Sequence, residues 1–555
     1  MWSGSGQLMR AAVLSAGISF ISAGAQAQNA ADRATSAQVE SERETSLQRS
    51  LPSAPVPVEI EGPAPAPAAA GPVVFVGAVT FAGLEALAPQ DFADIIAACL
   101  GRTLSPTELA ALVNAVATRV RERGYPLGLA WIEPQRVANG VLAVRVDEGR
   151  IDEVRFAGWA PRAVHDTLAP LRDGRSVRFG QIERRLMLAA DIPGVQIRKS
   201  RFFREQGTGV LEVEIARDRV ALTASIANPG SKPVGPEQLR LEVDAHGLLA
   251  SDDTVTVSLA TTPLAPSELQ VGYVRYQQRI GSAGTTLAVS ASVSRVRPGA
   301  YLAPLDLRND AWFAGVNAVH PLLRRRSMSL WLEAELGIRD LEQTLGGTRF
   351  RRDRLTVARL SLRGYDQLGG GRLRAGASVS QGLGLFGATQ AGDPAASRLD
   401  ADGTFTTLGA WADWTAELGG PFSLRVAAAG QLASRPLLIG EELGLGGTNF
   451  LRGYDWGERT GDEGVMGSGE LRYTFAQPLD FIKQAQFYAF ADGGLVSNLD
   501  DGLGGGSLAS FGGGTRLTVT QQLAANFEVA VPLSGPRFDT LDRTPKFSFA
   551  VIRSF

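Results

Sequence analysis

Residues 329–339 read Ser-Leu-Trp-Leu-Glu-Ala-Glu-Leu-Gly-Ile-Arg. Leu330, Leu332, Ala334, Leu336 and Ile338 alternate with Ser329, Trp331, Glu333, Glu335 and Arg339. Successive side chains of a strand point to opposite faces, so this stretch has one apolar face and one charged face. The pattern returns at 408–418, where Leu408, Ala410, Ala412, Trp414, Ala416 and Leu418 alternate with Asp413, Thr415 and Glu417. It returns again at 470–475, where Leu471, Tyr473 and Phe475 alternate with Glu470, Arg472 and Thr474. A period of two fits a soluble sandwich as well as a barrel. Strands of about ten residues separated by Gly-rich turns favour a barrel, with lipid outside and water inside.

Segmenting residues 220–555 by this alternation predicts sixteen strands, the first near 220–230, the eighth near 354–367, the thirteenth near 485–498 and the last near 544–555. An even number leaves both ends of a single-chain barrel in the periplasm. Odd strands then run outward, which puts the long Gly-rich connection 437–464 on the extracellular side. The chain ends on Phe555, with Phe547 and Phe549 on the same strand face.

The N-terminus supports export. Arg10 precedes an apolar run from Ala11 to Ala25, and Ala25-Gln26-Ala27 is a small-x-small cleavage site, so residues 1–27 read as a secretory signal peptide. No later stretch offers the eighteen or more apolar residues of a spanning helix. Cys99 is the single cysteine, so an internal disulfide is excluded. A net charge of −2 leaves no basic footprint for nucleic acid. Only Lys199, Lys232, Lys483 and Lys546 are lysines among 55 basic residues, which reads as base composition.

Residues 28–50 are polar and helix-compatible, and 51–72 are dense in Pro and Ala, an extended tether. A repeat follows. Val79-Thr80-Phe81-Ala82-Gly83 recurs as Val154-Arg155-Phe156-Ala157-Gly158, and the strand at 140–146 is matched at 209–215. In the first copy Ser105-Pro106-Thr107-Glu108 opens a helix, and Leu109, Leu112, Val113, Val116 and Val120 form one apolar stripe. In the second, Ile182, Leu186 and Ala189 share a face within 179–190, and Pro193-Gly194 ends the helix. Residues 73–149 and 150–219 are thus two small α+β units, each strand, helix, helix, strand, strand.

The mature chain resembles the two-partner secretion transporters (TpsB type, the haemolysin and filamentous-haemagglutinin exporters) of the POTRA-barrel superfamily. Two motifs carry the resemblance. Leu451-Arg452-Gly453-Tyr454 matches the family's [VIL]-R-G-[FY] at the tip of the sixth extracellular loop, and Phe490-Ala491-Asp492-Gly493-Gly494 matches the F-x-D-x-G of the thirteenth strand. Arg-Gly-Tyr also occurs at Arg363-Gly364-Tyr365, so neither motif suffices alone. Arg553 departs from the family, standing where a second terminal aromatic is usual. The resemblance implies a transmembrane antiparallel β-barrel of about sixteen strands preceded by two POTRA domains, in the bacterial outer membrane with the POTRA domains in the periplasm. It implies a secreted TpsA-like partner protein, with residues 28–50 as a barrel plug by analogy, and a loop 437–464 that folds back into the lumen.

The pairing of the motifs has a physical basis. Alternation puts Asp492 on one face with Tyr488, Phe490 and Gly494, and Phe487, Ala489 and Ala491 on the other. With the second face in lipid, Asp492 points inward, where a carboxylate can take both prongs of the Arg452 guanidinium. Gly453 and Gly494 leave space for the loop to approach the wall, and Tyr454 and Phe490 pack beside it. In the first POTRA unit, Leu109, Val113, Val116, Leu129 and Trp131 are candidates for an apolar groove between the second helix and the middle strand, taking an extended chain. Each fits the unit's own core equally well.

An enzyme is disfavoured. His165, His246 and His320 are scattered, and there is no metal-spaced set, no G-x-S-x-G elbow and no phosphate loop, so no metal, cofactor or nucleotide is expected. A passive porin would have no use for two periplasmic repeats. The rival reading is a general barrel assembly or insertion factor of the same superfamily.

Overall fold

The computed structural model describes residues 58–60, 72–137, 139–500, 502 and 504–555. The expected signal peptide, the polar segment 28–50 and most of the tether 51–72 lie outside these.

Among the described residues, sixteen strands from Val220–Ala227 to Lys546–Ser554 form one closed barrel, every neighbouring pair antiparallel. Closure pairs the first strand with the last, so neither is left as a free edge in lipid. The alternation has the anticipated polarity. Leu336, Leu360 and Phe487 are exposed on the outer face, whereas Glu333, Glu335 and Arg359 line the interior. The closing seam is short, running from Thr223↔Ser554 to Ala227↔Ala550. Beyond it the Asn228 side chain continues the ladder, donating to the Phe547 carbonyl at 2.9 Å and accepting from the Phe549 amide at 2.6 Å. At the periplasmic rim the Arg553 guanidinium lies over the Phe555 ring, 4.5 Å from its centroid.

The eighth strand, Thr348–Leu368, starts six residues before the expected 354. Its extension carries no apolar alternation. Cross-strand ion pairs sustain it instead: Arg352 reaches Asp340 at 2.8 Å and Arg349 reaches Glu342 at 3.1 Å, and Arg354, at the expected start, also reaches Asp340 at 2.7 Å. Charge pairing above the lipid replaced the hydrophobic signal.

Beneath the barrel lie the two repeated units. In the first, Ala78–Ala82, Val141–Asp147 and Leu129–Trp131 form a sheet with Val141–Asp147 in the middle, covered by the helix Pro106–Glu122. Ser105 and Glu108 close a capping box at the helix start, each satisfying the other's backbone N–H. That bond to the Ser105 amide holds the Glu108 carboxyl below its usual range. In the second, Glu153–Ala157, Thr208–Arg217 and Val195–Glu205 lie side by side with the helix Phe179–Ala190 packed on them. The repeated sequence motifs are neighbours in both, since Ala78–Ala82 and Glu153–Ala157 each run parallel to the last strand of their unit.

Arg204 joins the units, reaching Asp147 at 2.9 Å, together with Arg178, which donates to the Tyr125 hydroxyl at 2.9 Å. Three tether residues add to the second unit. Glu59–Ile60 pairs parallel with Arg201 and Phe202, and Val58 and Ile60 pack on the second unit's core.

Candidate functional site

The eleventh and twelfth barrel strands, Phe422–Ala433 and Glu463–Leu479, are joined by the long connection read from the sequence. Within it, Leu443–Leu445 and Arg459–Gly461 pair as a small hairpin. Its tip turns inward and seats on the wall. Gly446 has φ +107°, and a Cβ there would meet the Asp455 carbonyl oxygen at 1.9 Å, so only glycine closes this hairpin. Leu451 also lies in the left-handed region, φ +55°, with its side chain fully buried. For a branched residue such a conformation costs about 1–3 kcal/mol, which the surrounding packing must offset.

Arg452 follows directly. Its backbone amide donates to Asp492 Oδ2 at 3.1 Å. Nε and Nη2 grip the same carboxylate at 3.0 Å each, the two-pronged contact expected from the motif pair. Nη1 reaches Glu470 at 2.9 Å and Glu528 at 3.2 Å, and Nη2 also donates to Ser468 Oγ at 3.1 Å. All five guanidinium N–H groups are therefore used. Below them the centroid of the Phe490 ring lies 3.3 Å from the guanidinium carbon, a cation–π contact in a buried site. The Arg452 side chain is 4% exposed, yet the charges balance. Asp492, Glu470 and Glu528 face Arg452 together with Arg472 and Arg516, each of which bonds Glu470 at 2.6 Å. Paired charges of this kind tolerate burial, whereas a lone one would not.

A Cβ on Gly453 would lie 2.9 Å from Ser510 Cβ and 3.0–3.1 Å from the backbone at Pro532 and Val531. One on Gly494 would press on Leu451 and Met466 at 3.0 Å. Tyr454 is fully buried, and it and Phe490 belong to different apolar clusters. It joins a cluster with Leu445, Phe450, Leu451 and Met466, while Phe490 packs with Tyr488 and Ala530. The Tyr454 hydroxyl accepts from the Ser534 and Gly535 amides at 3.1 and 3.2 Å, tying the loop to the last extracellular turn. Next to it Asp455 pairs with Lys546 of the final strand at 2.7 Å.

Sequence reasoning did not find Glu470, Glu528, Ser468, Asp455 or Lys546. Glu470 lies on the polar face of an alternating strand, but nothing local indicates its partner. The second Arg-Gly-Tyr lies within the eighth strand, where Tyr365 contacts Arg324 at the periplasmic side. The interior below the loop holds a chamber of about 750 Å³ lined by Glu242, Asp244, Arg275, Glu333, Arg359 and Arg363.

The five candidate groove residues are treated unequally. Val113 and Val116 are closed into the first unit's core, Leu109 packs partly against it, and Leu129 is half-buried. Trp131 is 38% exposed. Leu129–Trp131 is the middle strand in sequence but an edge of its sheet, so the surface facing solvent there is a strand edge carrying a tryptophan.

The model for haemolysin secretion/activation proteins ShlB/FhaC/HecB matches residues 209–517, and that for the ShlB-type POTRA domain matches residues 74–149. The outer membrane transporter CdiB of Dickeya dadantii is 24% identical over 482 residues, 84% of each chain. The heme/hemopexin transporter protein HuxB of Haemophilus influenzae is 21% identical over 489 residues, again 84% of each. Among solved structures, CdiB from Escherichia coli superposes with a TM-score of 0.73 at 21% identity, covering 94% of this chain and 98% of that one. BamA from Haemophilus ducreyi lacking POTRA domains 1–3 gives 0.52 at 12% identity, covering 87% and 100%.

Proposed function

The chain belongs to the haemolysin secretion/activation protein family, and from that premise we infer how it works. It is an outer-membrane transporter, its POTRA region in the periplasm, for a secreted partner protein. The partner arrives unfolded, is caught by the periplasmic units and leaves through the barrel. The strand edge at Leu129–Trp131 supports capture, because main-chain pairing plus one aromatic contact holds an extended chain without reading much sequence. The outer face, with Leu336, Leu360 and Phe487 exposed, meets membrane lipid. No nucleotide or nucleic acid enters this scheme, and folding of the partner outside supplies the drive.

One observation carries the mechanism: the loop tip is bound to the inner wall through Arg452 and Asp492, so the lumen is occupied by a removable element. In this reading Arg452–Asp492 pins the loop, Gly453 and Gly494 give it room, and Tyr454 and Phe490 pack the two sides of the latch. Residues 28–50 would act as a second obstruction. The assembly-factor alternative is not favoured, since the match to secretion proteins spans 209–517 and the likeness to BamA is of fold alone.

The test is deletion of the gene. The expected result is one large protein missing from the culture medium, with other outer-membrane barrels at normal levels. A general loss of those barrels would overturn the reading in favour of assembly.

A further inference from the structure

We propose that the pocket holding Arg452 is a guanidinium site belonging to the barrel wall, and that with the loop withdrawn it takes an arginine side chain of the exported polypeptide. The inference rests on the transporter reading above but concerns a site that reading leaves empty once the loop has moved.

Every acceptor comes from the wall. Ser468 and Glu470 lie on the twelfth strand, Asp492 on the thirteenth, Ile482–Ser497, and Glu528 on the fifteenth, Leu523–Pro532. So does the stacking face, Phe490. The loop contributes only the occupant and its cover. Ladder pairing fixes the acceptors in place, with Ser468 opposite Asp492 and Glu470 opposite Phe490. The carboxylates are also braced from behind. Arg472 and Arg516 hold Glu470 Oε1 at 2.6 Å each, and the Tyr488 hydroxyl donates to Glu528 at 3.0 Å. None of these braces involves the loop.

Removing Arg452 therefore leaves a preformed site with a charge deficit. Asp492, Glu470 and Glu528 would face only Arg472 and Arg516, and the side chains of Asp492 and Glu470 are fully buried. Buried carboxylates without a counter-charge are costly, so the emptied pocket favours a cation. Its shape selects which one. The acceptors are spread around a plane that lies on an aromatic ring, which suits a planar fork of five N–H donors. An ammonium with three donors on a point charge fits less well. An extended chain crossing the lumen presents its side chains to this wall, and arginine is the one that matches.

The test uses the full-length protein purified in detergent, as wild type, as Arg452→Ala, and as a second variant lacking residues 447–456 in case the first fails to assemble. Thermal midpoints are read against millimolar guanidinium, with urea as the neutral molecule of the same shape and methylammonium as the compact cation. A ligand that binds only the folded state raises the midpoint in a saturable way. The expected result is a saturable rise with guanidinium in either variant, none in the wild type, and loss of the rise when Asp492→Asn is added. N-acetylarginine amide should act as guanidinium does, and N-acetylcitrulline amide should not. No saturable response in either variant, or an equal response to urea or methylammonium, overturns the site. Secretion by the wild type is measured in parallel. Secretion without a guanidinium response discards the site and keeps the transporter. A response in a protein that exports nothing discards the transport reading, and the exported arginine with it.

Discussion

Arg324 of the barrel and Asp191 of the second periplasmic unit meet through two hydrogen bonds of 2.7 and 2.8 Å, with the guanidinium wholly buried. Tyr365 and Ser329 take the remaining side of the guanidinium at 3.1 and 3.2 Å. Nearby, Arg279 donates to the Leu188 carbonyl at 2.6 Å and Arg185 to the Ser282 carbonyl at 3.0 Å, so the end of the helix Phe179–Ala190 is docked on the barrel's periplasmic turns. These contacts hold the second unit against the barrel's periplasmic side. Asp191→Asn leaves a buried cation with a neutral partner and should cost about 3–5 kcal/mol at the junction. The expected outcome is faster proteolysis between 217 and 220 and reduced secretion. The double replacement Asp191→Leu with Arg324→Met should recover much of the protection, because an apolar pair carries no unpaired charge. Unchanged proteolysis of the single variant would count against the clamp.

The latch itself should distinguish arginine from lysine. Arg452→Lys keeps the charge but supplies three donors to a site that uses five, and it loses the flat contact on Phe490. Channel recordings in planar bilayers should show more frequent open events than wild type. Arg452→Ala should go further and lower unfolding stability by about 3–5 kcal/mol. A lysine variant that records like wild type would show that charge alone seats the loop.

Gly453→Ala tests the same seat without touching charge. The added methyl would lie 2.9 Å from Ser510 Cβ and 3.0 Å from the Pro532 nitrogen, neither on a long flexible side chain that could swing away. The loop should ride higher on the wall. External protease on intact cells should then cut within 437–464 several-fold faster, with Arg452 and Asp492 both present. Wild-type resistance would mean the strand moves to accommodate it.

Acid should loosen the first POTRA unit. The Arg119 guanidinium bonded to Asp94 lowers that carboxyl to about 2. In the unfolded chain an aspartate titrates near 3.9. The folded state therefore binds the proton more weakly, and the stabilisation from this pair is complete above about pH 4 and lost as pH falls toward 2. Asp94 is largely exposed, so the effect is small and salt-sensitive. Melting curves of wild type and Asp94→Asn should differ at pH 6 and converge near pH 2. A gap that stays constant would point to packing.

The residues alone determined the barrel, the repeat and the two motifs. Each is written at short range: one apolar face every second residue, a copied strand, a capped helix, and glycine where backbone must approach backbone. Sixteen strands follow from alternation because a strand buries its outer face in lipid wherever it lies in the sheet. The start of the eighth strand is hidden, since Arg349 and Arg352 are held by acids on the neighbouring strand and not by any pattern of their own.

The tertiary structure decided what Arg452 meets. Asp492 lies 40 residues away, Glu528 lies 76 away, and Lys546 reaches Tyr454 across 92. Those separations close only through the register of the barrel and the inward turn of the loop. The same holds for Val113, Val116 and Trp131, which share apolar character but differ in burial because helix packing encloses two of them and the sheet ends at the third. Local periodicity fixes which face a side chain takes; closure of the sheet fixes its neighbours.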